Sequence, residues 1–153
     1  MVSNIYINDV LKNISSFCGT FSCDNIKSGD SSVKLNSYII NLSSENEIGT
    51  HFIALSVNHE DKKIFYFDSF GNKCTNQKIL RFISKYGYKY RYCNRQIQDP
   101  LSVYCGFFCI CFVVSTHLSI PFTRIVKLYD EHNLIKNDEI CINLIKTLAR
   151  RIK

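Results

Sequence analysis

The 153-residue chain has only two prolines and no low-complexity tract, which argues against a disordered protein. Its longest apolar run falls well short of the ~20 residues a membrane span needs. It has no C-x-x-C pair, and that lowers the case for zinc. Cys109 and Cys111 stand two apart in a predicted helix, so their side chains diverge by about 200° rather than chelate one ion. The first residues mix Asn, Asp and Lys with aliphatics and do not read as a secretory signal. The expectation is therefore an intracellular, reducing compartment with free thiols. There is no internal repeat and no linker, so residues 1–153 read as a single domain. That length supports a core without metal or disulfide staples.

What is present is distinctive. There are eight cysteines, eleven phenylalanines, nine tyrosines and a net charge of +6. The charge permits attraction to nucleic acid or acidic surfaces, and equally describes a mildly basic soluble protein. The basic residues are scattered, apart from Arg150-Arg151-Ile152-Lys153, which also suits the C-terminal end of a helix dipole.

Periodicity predicts a helix over 4–17 with Ile7, Val10, Leu11, Ile14 and Phe17 inward, stopped by Gly19. Residues 20–32 read as loop and 33–42 as a strand. Segments 50–57 and 63–70 predict a hairpin whose two-residue turn is His59-Glu60. That register sets Phe52 opposite Phe67, Ala54 opposite Phe65, Ser56 opposite Lys63 and His51 opposite Asp68. Opposed Cβ atoms lie about 4.5–5.5 Å apart, within reach of an imidazole–carboxylate hydrogen bond. Large apolar residues on both faces predict central strands covered on both sides. Taken singly, His51 also fits a loop residue and Asp68 a turn carboxylate. Their joint placement raises the site reading. His59 on the turn reads as solvated and His117 as a helix-terminal cation. His132 has no evident companion.

A helix is predicted over 76–86 and a strand over 89–98. The strand's tyrosines among basic residues fit either single-stranded nucleic acid or one solvated face. A buried helix follows over 104–118. Pro121 opens another through Tyr129, and Asn137 is predicted to cap the last.

The stretch from Gln98 to Phe108 organises the rest. A polar loop bearing Pro100 delivers Cys105 to the first turn of an uncharged, apolar helix. Positive potential at a helix start favours thiolate, the nucleophilic form. Gly106 removes a side chain beside the sulfur, where a substrate carbonyl is expected to approach. On its own, Cys105 also fits a buried core cysteine. Gln98, seven residues earlier, can donate with the Cys105 backbone N–H to a developing oxyanion. Together Cys105, His51, Asp68 and Gln98 have the parts of cysteine acyl transfer.

These residues resemble the adenovirus-type endopeptidases and the related SUMO and ubiquitin-like-protein proteases, which share the order His, acid, Gln, Cys. The matching positions are Gly49-Thr50-His51-Phe52, Tyr66 to Gly71, Gln98-Asp99-Pro100 and Ser102 to Cys109. Gly19-Thr20-Phe21 and Asp24 add to the likeness. The resemblance implies Cys105 as nucleophile, His51 as general base and then acid, Asp68 as the group orienting His51, and Gln98 in the oxyanion hole. It implies an α+β fold, with a central, mostly antiparallel sheet flanked by helices and the cysteine at the N-terminus of a buried helix. The activity implied is a thiol endopeptidase, a viral or mobile-element maturation protease cutting precursor proteins near small residues such as glycine. An isopeptidase acting on ubiquitin or SUMO conjugates, and a catalytically silent nucleic-acid-binding virion protein of the same fold, are the alternatives. No cofactor is needed for the chemistry. Activation by DNA or a viral peptide belongs to the family, and Cys93 lies too close to Gln98 to carry over the peptide's disulfide. The expected protein is a monomer off the membrane, in the host nucleus or virion if viral. Phe52 stands where the family usually has tryptophan.

Overall fold

The computed structural model describes residues 2–46 and 51–152. Among the described residues, five strands form one sheet: β1 (Phe17–Ser22), β2 (Leu35–Asn41), β3 (Phe52–Asn58), β4 (Lys63–Phe67) and β5 (Lys89–Tyr92), adjacent in that order. The two inner pairings, β2–β3 and β3–β4, are antiparallel, while β1 and β5 run parallel to their neighbours at the edges. The architecture is the expected α+β.

Alternation along the central strands builds two cores. Phe52, Ala54, Phe67 and Ile39 face α1 (Asn4–Leu11), α3 (Cys105–His117), α4 (Phe122–Val126) and α5 (Asn137–Ala149). Ile53, Leu55, Val57, Ile64 and Tyr66 face the opposite side, where α2 (Gln77–Ser84) supplies Ile79, Phe82 and Ile83. Helix α3 runs between sheet and α5 and is buried nearly all round, which is why its sequence is apolar without a polar stripe. Phe112 stacks on Phe67 at 5.2 Å between centroids.

Several sequence expectations are corrected. The first helix stops at Leu11, and β1 runs from the predicted helix end at Phe17 into the first three residues of the predicted loop. Ile7, Leu11 and Ile14 are buried as predicted, but Val10 is 40% exposed. Asn13, Ser15 and Ser16 favour backbone-competing conformations over helix, and Phe17–Ser22 lacks the alternation that marks a strand. The strand expected over 89–98 ends at Tyr92.

Asn137 does not cap α5. It is the helix's first residue, fully buried, and its amide ties three backbone groups together. Its Oδ1 accepts from Asp130 N at 2.7 Å, and its Nδ2 donates to Ile97 O at 2.8 Å and Asp130 O at 3.0 Å. His59 is also not free in solvent: it is half-buried, with Nε2 2.7 Å from Asn36 Oδ1 and Nδ1 3.2 Å from Tyr88 Oη.

Candidate active site

The β3–β4 hairpin carries a four-residue loop, His59 to Lys62, rather than the two-residue turn predicted. Asn58 pairs with Lys63, Ser56 with Phe65 and Ala54 with Phe67. Asn58 explains the longer loop: its Oδ1 accepts from Asp61 N at 2.9 Å and its Nδ2 donates to Asp61 Oδ2 at 3.1 Å. Lys62 takes the left-handed conformation (φ 51°) that returns the chain into β4.

The correction shifts each pairing by two residues. A strand repeats its facing every two residues, so His51 and Asp68 stay on one face while becoming diagonal neighbours. His51 is instead stacked on Phe70, with centroids 4.8 Å apart and planes at 28°. The diagonal contact still forms, because β4 ends at Phe67 and the chain turns. Asp68 O accepts from Gly71 N at 2.8 Å, and Asp68 Oδ1 accepts from Phe70 N at 2.9 Å. The same Oδ1 lies 2.8 Å from His51 Nε2, which donates to it. Gly71 (φ +76°) permits backbone-to-backbone packing: a Cβ there would lie 2.7 Å from the Arg95 carbonyl carbon. The matching Gly49 and Thr50 lie outside the described residues.

The His51 ring also lies against the Cys105 thiol, and each side chain shifts the titration of the other. Burial alone would lower the imidazole pKa, but the hydrogen bonds to Asp68 and Cys105, with the charge on each, carry it up to about 9. Cys105 responds oppositely. Burial would raise its thiol, yet the His51 hydrogen bond, the Phe52 N–H, the His51 charge and the Gly106 N–H bring it below its usual value. Each partner thus favours the charged form of the other, thiolate beside imidazolium. The sulfur sits at the start of α3, where Tyr104 provides no side-chain cap and the first N–H groups are left for other partners. Cys109, one turn on and fully buried, is pushed well above a normal thiol by burial.

The space beside Gly106 is not open to a substrate carbonyl, as the sequence had suggested. A Cβ there would overlap Val2 Cγ1, with Ile7 and Phe52 next nearest. The glycine admits the chain's own N-terminal segment. Val2 and Ser3 separate an aromatic groove of about 530 Å³, lined by Tyr6, Val103, Tyr104 and Phe107, from a polar one of about 450 Å³ that reaches Phe52 and Asn41.

Gln98 is buried and its amide is held at both ends. Ser69 Oγ donates to its Oε1, and its Nε2 donates to Ser102 O at 2.8 Å. Ser102 in turn donates from Oγ to Asp138 Oδ1 at 2.8 Å. The four sequence-predicted residues therefore lie on two linked loops and two element ends. His51 is bonded to Asp68 and interacts with Cys105, and Gln98 is anchored to Ser69, the residue after Asp68. From sequence, Ser69 and Ser102 had no role of their own, Asn137 was read only as a helix cap and Asp138 only as a first-turn acid. Each is a common polar residue in a loop or first helical turn, and no spacing marks it. His117 lies at the far end of α3, bonded to Ser16 Oγ at 3.0 Å, and His132 bonds locally to Asp130. Among the described residues, no His, Cys, Asp and Glu side chains gather in a group of three or more able to hold a metal.

A family model described as adenovirus endoprotease matches residues 17–96, a span that holds His51 and Asp68 and ends before Gln98 and Cys105. No curated protein matches the chain. Among solved structures, the ASFV pS273R protease superposes with a TM-score of 0.63 at 12% identity, covering 90% of this chain and 66% of that one. The C-terminal Ulp1 protease domain, in complex with Smt3, the yeast orthologue of SUMO, gives 0.54 at 15% identity, covering 99% and 78%. The Chlamydia trachomatis effector Cdu1, bound to ubiquitin, gives 0.57 at 12% identity, covering 78% and 62%. The chain thus spans about two thirds of the ASFV protease. At these identities the likeness is one of fold.

Proposed function

Because this chain belongs to the adenovirus endoprotease family, we propose that it is a cysteine endopeptidase hydrolysing peptide bonds through a thioester acyl-enzyme. One observation carries the reading: His51 is hydrogen-bonded to Asp68 at 2.8 Å and lies against Cys105, so that imidazole and thiol each favour the charged form of the other.

The chemistry follows from that pair. The Cys105 thiolate attacks the scissile carbonyl carbon, a C–S bond forms, and the carbonyl π pair moves onto oxygen. The Cys105 backbone N–H and the Gln98 amide donate to that oxyanion. When the pair returns, the C–N bond breaks and the leaving amine takes the proton from His51. Water then attacks the thioester while His51 accepts its proton. The C–S bond breaks and the thiolate is restored. Asp68 holds the ring oriented and supports its positive charge throughout.

The substrates proposed are viral or mobile-element precursor proteins, cut beside small residues, with the protein acting as a monomer in an infected cell's nucleus or in the virion. The net charge of +6 is compatible with activation by DNA. A second reading, an isopeptidase acting on ubiquitin-like conjugates, is favoured by the fold shared with the Ulp1 domain and with Cdu1.

The test is covalent trapping with a Gly-Gly peptide aldehyde or vinyl sulfone, followed by mass mapping. The label is expected on Cys105 and absent from Cys105→Ala. Parallel incubation with a Gly-Gly-containing protein and with ubiquitin-family conjugates separates the two readings. Cleavage of conjugates alone overturns the first. No labelling of Cys105 and no hydrolysis that Cys105→Ala abolishes overturns both and leaves a binding protein.

A further inference from the structure

The residue that follows Asp68 is fully buried and bonds to Gln98 rather than to the histidine. Ser69 Oγ donates to Gln98 Oε1, while the Ser69 backbone carbonyl accepts from Ile97 N at 2.9 Å and Gln98 N at 3.0 Å. Ser69 thus grips Gln98 by both main chain and side chain.

At the other end of the amide, Nε2 meets the Ser102 carbonyl, which can only accept. A flipped amide would set Oε1 against that carbonyl, two acceptors facing each other in a buried site, and take from Ser69 the acceptor for its proton. Both neighbours therefore select one orientation. Nε2 uses one of its two protons on Ser102 and has the second for a substrate oxygen. Ser102 is itself fixed. Its N–H donates to Asp99 O at 2.9 Å, its Oγ donates to Asp138 in the first turn of α5, and that Oγ accepts from Tyr104 N at 3.1 Å.

We propose that Ser69 is a positioning residue for oxyanion stabilisation: its hydroxyl holds the Gln98 amide with Nε2, not Oε1, toward the developing negative charge. This rests on the reading of Gln98 as an oxyanion donor, and it makes Asp68-Ser69 a dipeptide serving both halves of the chemistry. Asp68 orients the base and Ser69 orients the amide.

The experiment compares Ser69→Ala, Gln98→Ala and the double variant, in peptide hydrolysis and in alkylation of Cys105 by iodoacetamide. Alkylation displaces iodide from carbon and forms no oxyanion, so it reports the thiolate and the fold alone. Ser69→Ala is expected to lower kcat by about 10–100-fold, below or equal to the loss for Gln98→Ala. KM is expected to stay within about twofold and Cys105 alkylation to match the wild type. The double variant is expected to be no slower than Gln98→Ala, because Ser69 acts through that side chain. Losses that multiply in the double variant, or alkylation that falls in step with kcat, overturn the proposal. Should Ser69→Ala not fold, Ser69→Cys retains the bulk with a weaker donor. It is expected to show the same selective fall in kcat, and wild-type kcat there also overturns the proposal. Full activity in Gln98→Ala would remove the donor role of Gln98 and the proposal with it. A slow Gln98→Ala beside a normal Ser69→Ala removes only Ser69.

Discussion

His51 Nε2 lies 2.8 Å from Asp68 Oδ1 although the two residues do not face each other across the β3–β4 ladder. The contact is diagonal, made because β4 ends one residue before the carboxylate and the chain folds back through Gly71. The acid is thus set by a turn, and the histidine by a strand end.

The thiols should differ sharply in reactivity. In the native protein at neutral pH, iodoacetamide is expected to modify Cys105 before Cys109 and Cys111, which are fully buried. Thiolate character separates Cys105 from Cys109, whose thiol burial pushes up, and complete burial shields Cys111. Peptide mapping after short exposure measures the order, and equal labelling of all three would contradict the site.

Removal of the base should cost more than removal of its support. His51→Ala is expected to lower kcat by on the order of 10⁴–10⁶-fold, and Asp68→Asn by about 10²–10⁴-fold. The acid orients and stabilises, whereas the imidazole moves protons. Steady-state kinetics on one peptide decides it, and equal losses would refute the assigned division.

The pH response follows from the raised histidine. Activity is expected to fall on the alkaline side as His51 deprotonates at about 9, and on the acid side as Cys105 takes up a proton below its usual thiol range. Stability has a definite sign too. Because the folded His51 pKa lies above its unfolded value, its contribution is complete below about 6.5 and is lost as pH rises through about 9. Urea unfolding of wild type and His51→Gln across that interval should show the difference between them shrinking with rising pH.

Gly106→Ala should be destabilising through crowding by Val2. The added methyl overlaps Val2 Cγ1, an overpacking worth about 1–3 kcal/mol. Pairing it with Val2→Gly is expected to restore stability, since alanine is otherwise the better helix former. Thermal or urea melts of the three variants test the rescue, and no recovery in the double variant would show that something else fills that space.

Asn137→Ala is expected to cost roughly 3 kcal/mol, because three buried backbone groups lose their partner. Chemical denaturation measures the loss, and a change under 1 kcal/mol (about one hydrogen bond's net worth) would mean that water replaces the amide.

The parts of the chain with a repeating pattern were legible in advance. The apolar run after Cys105 announced a buried helix, and the two-sided hairpin announced central strands. Residue types and intervals were enough to nominate Cys105, His51, Asp68 and Gln98 as a group. Register was not legible, because the loop length rests on Asn58 bonding to Asp61, a side-chain choice with no periodic trace. Its two-residue error left the facing of His51 unchanged, so the site survived a wrong pairing. β1 escaped notice because all its residues are half-buried and show no alternation. The roles of Ser69, Asn137 and Val2 depend on neighbours distant in sequence, which no local window contains.

Where the turn after Asp68 passes the backbone at Arg95 and Gln96, nothing but hydrogen fits on Gly71. A methyl group there would wedge apart two main chains, one carrying the acid and the other leading in three residues to Gln98. The damage would travel in both directions from one atom. Base and oxyanion support would drift out of alignment together, although neither side chain had been touched.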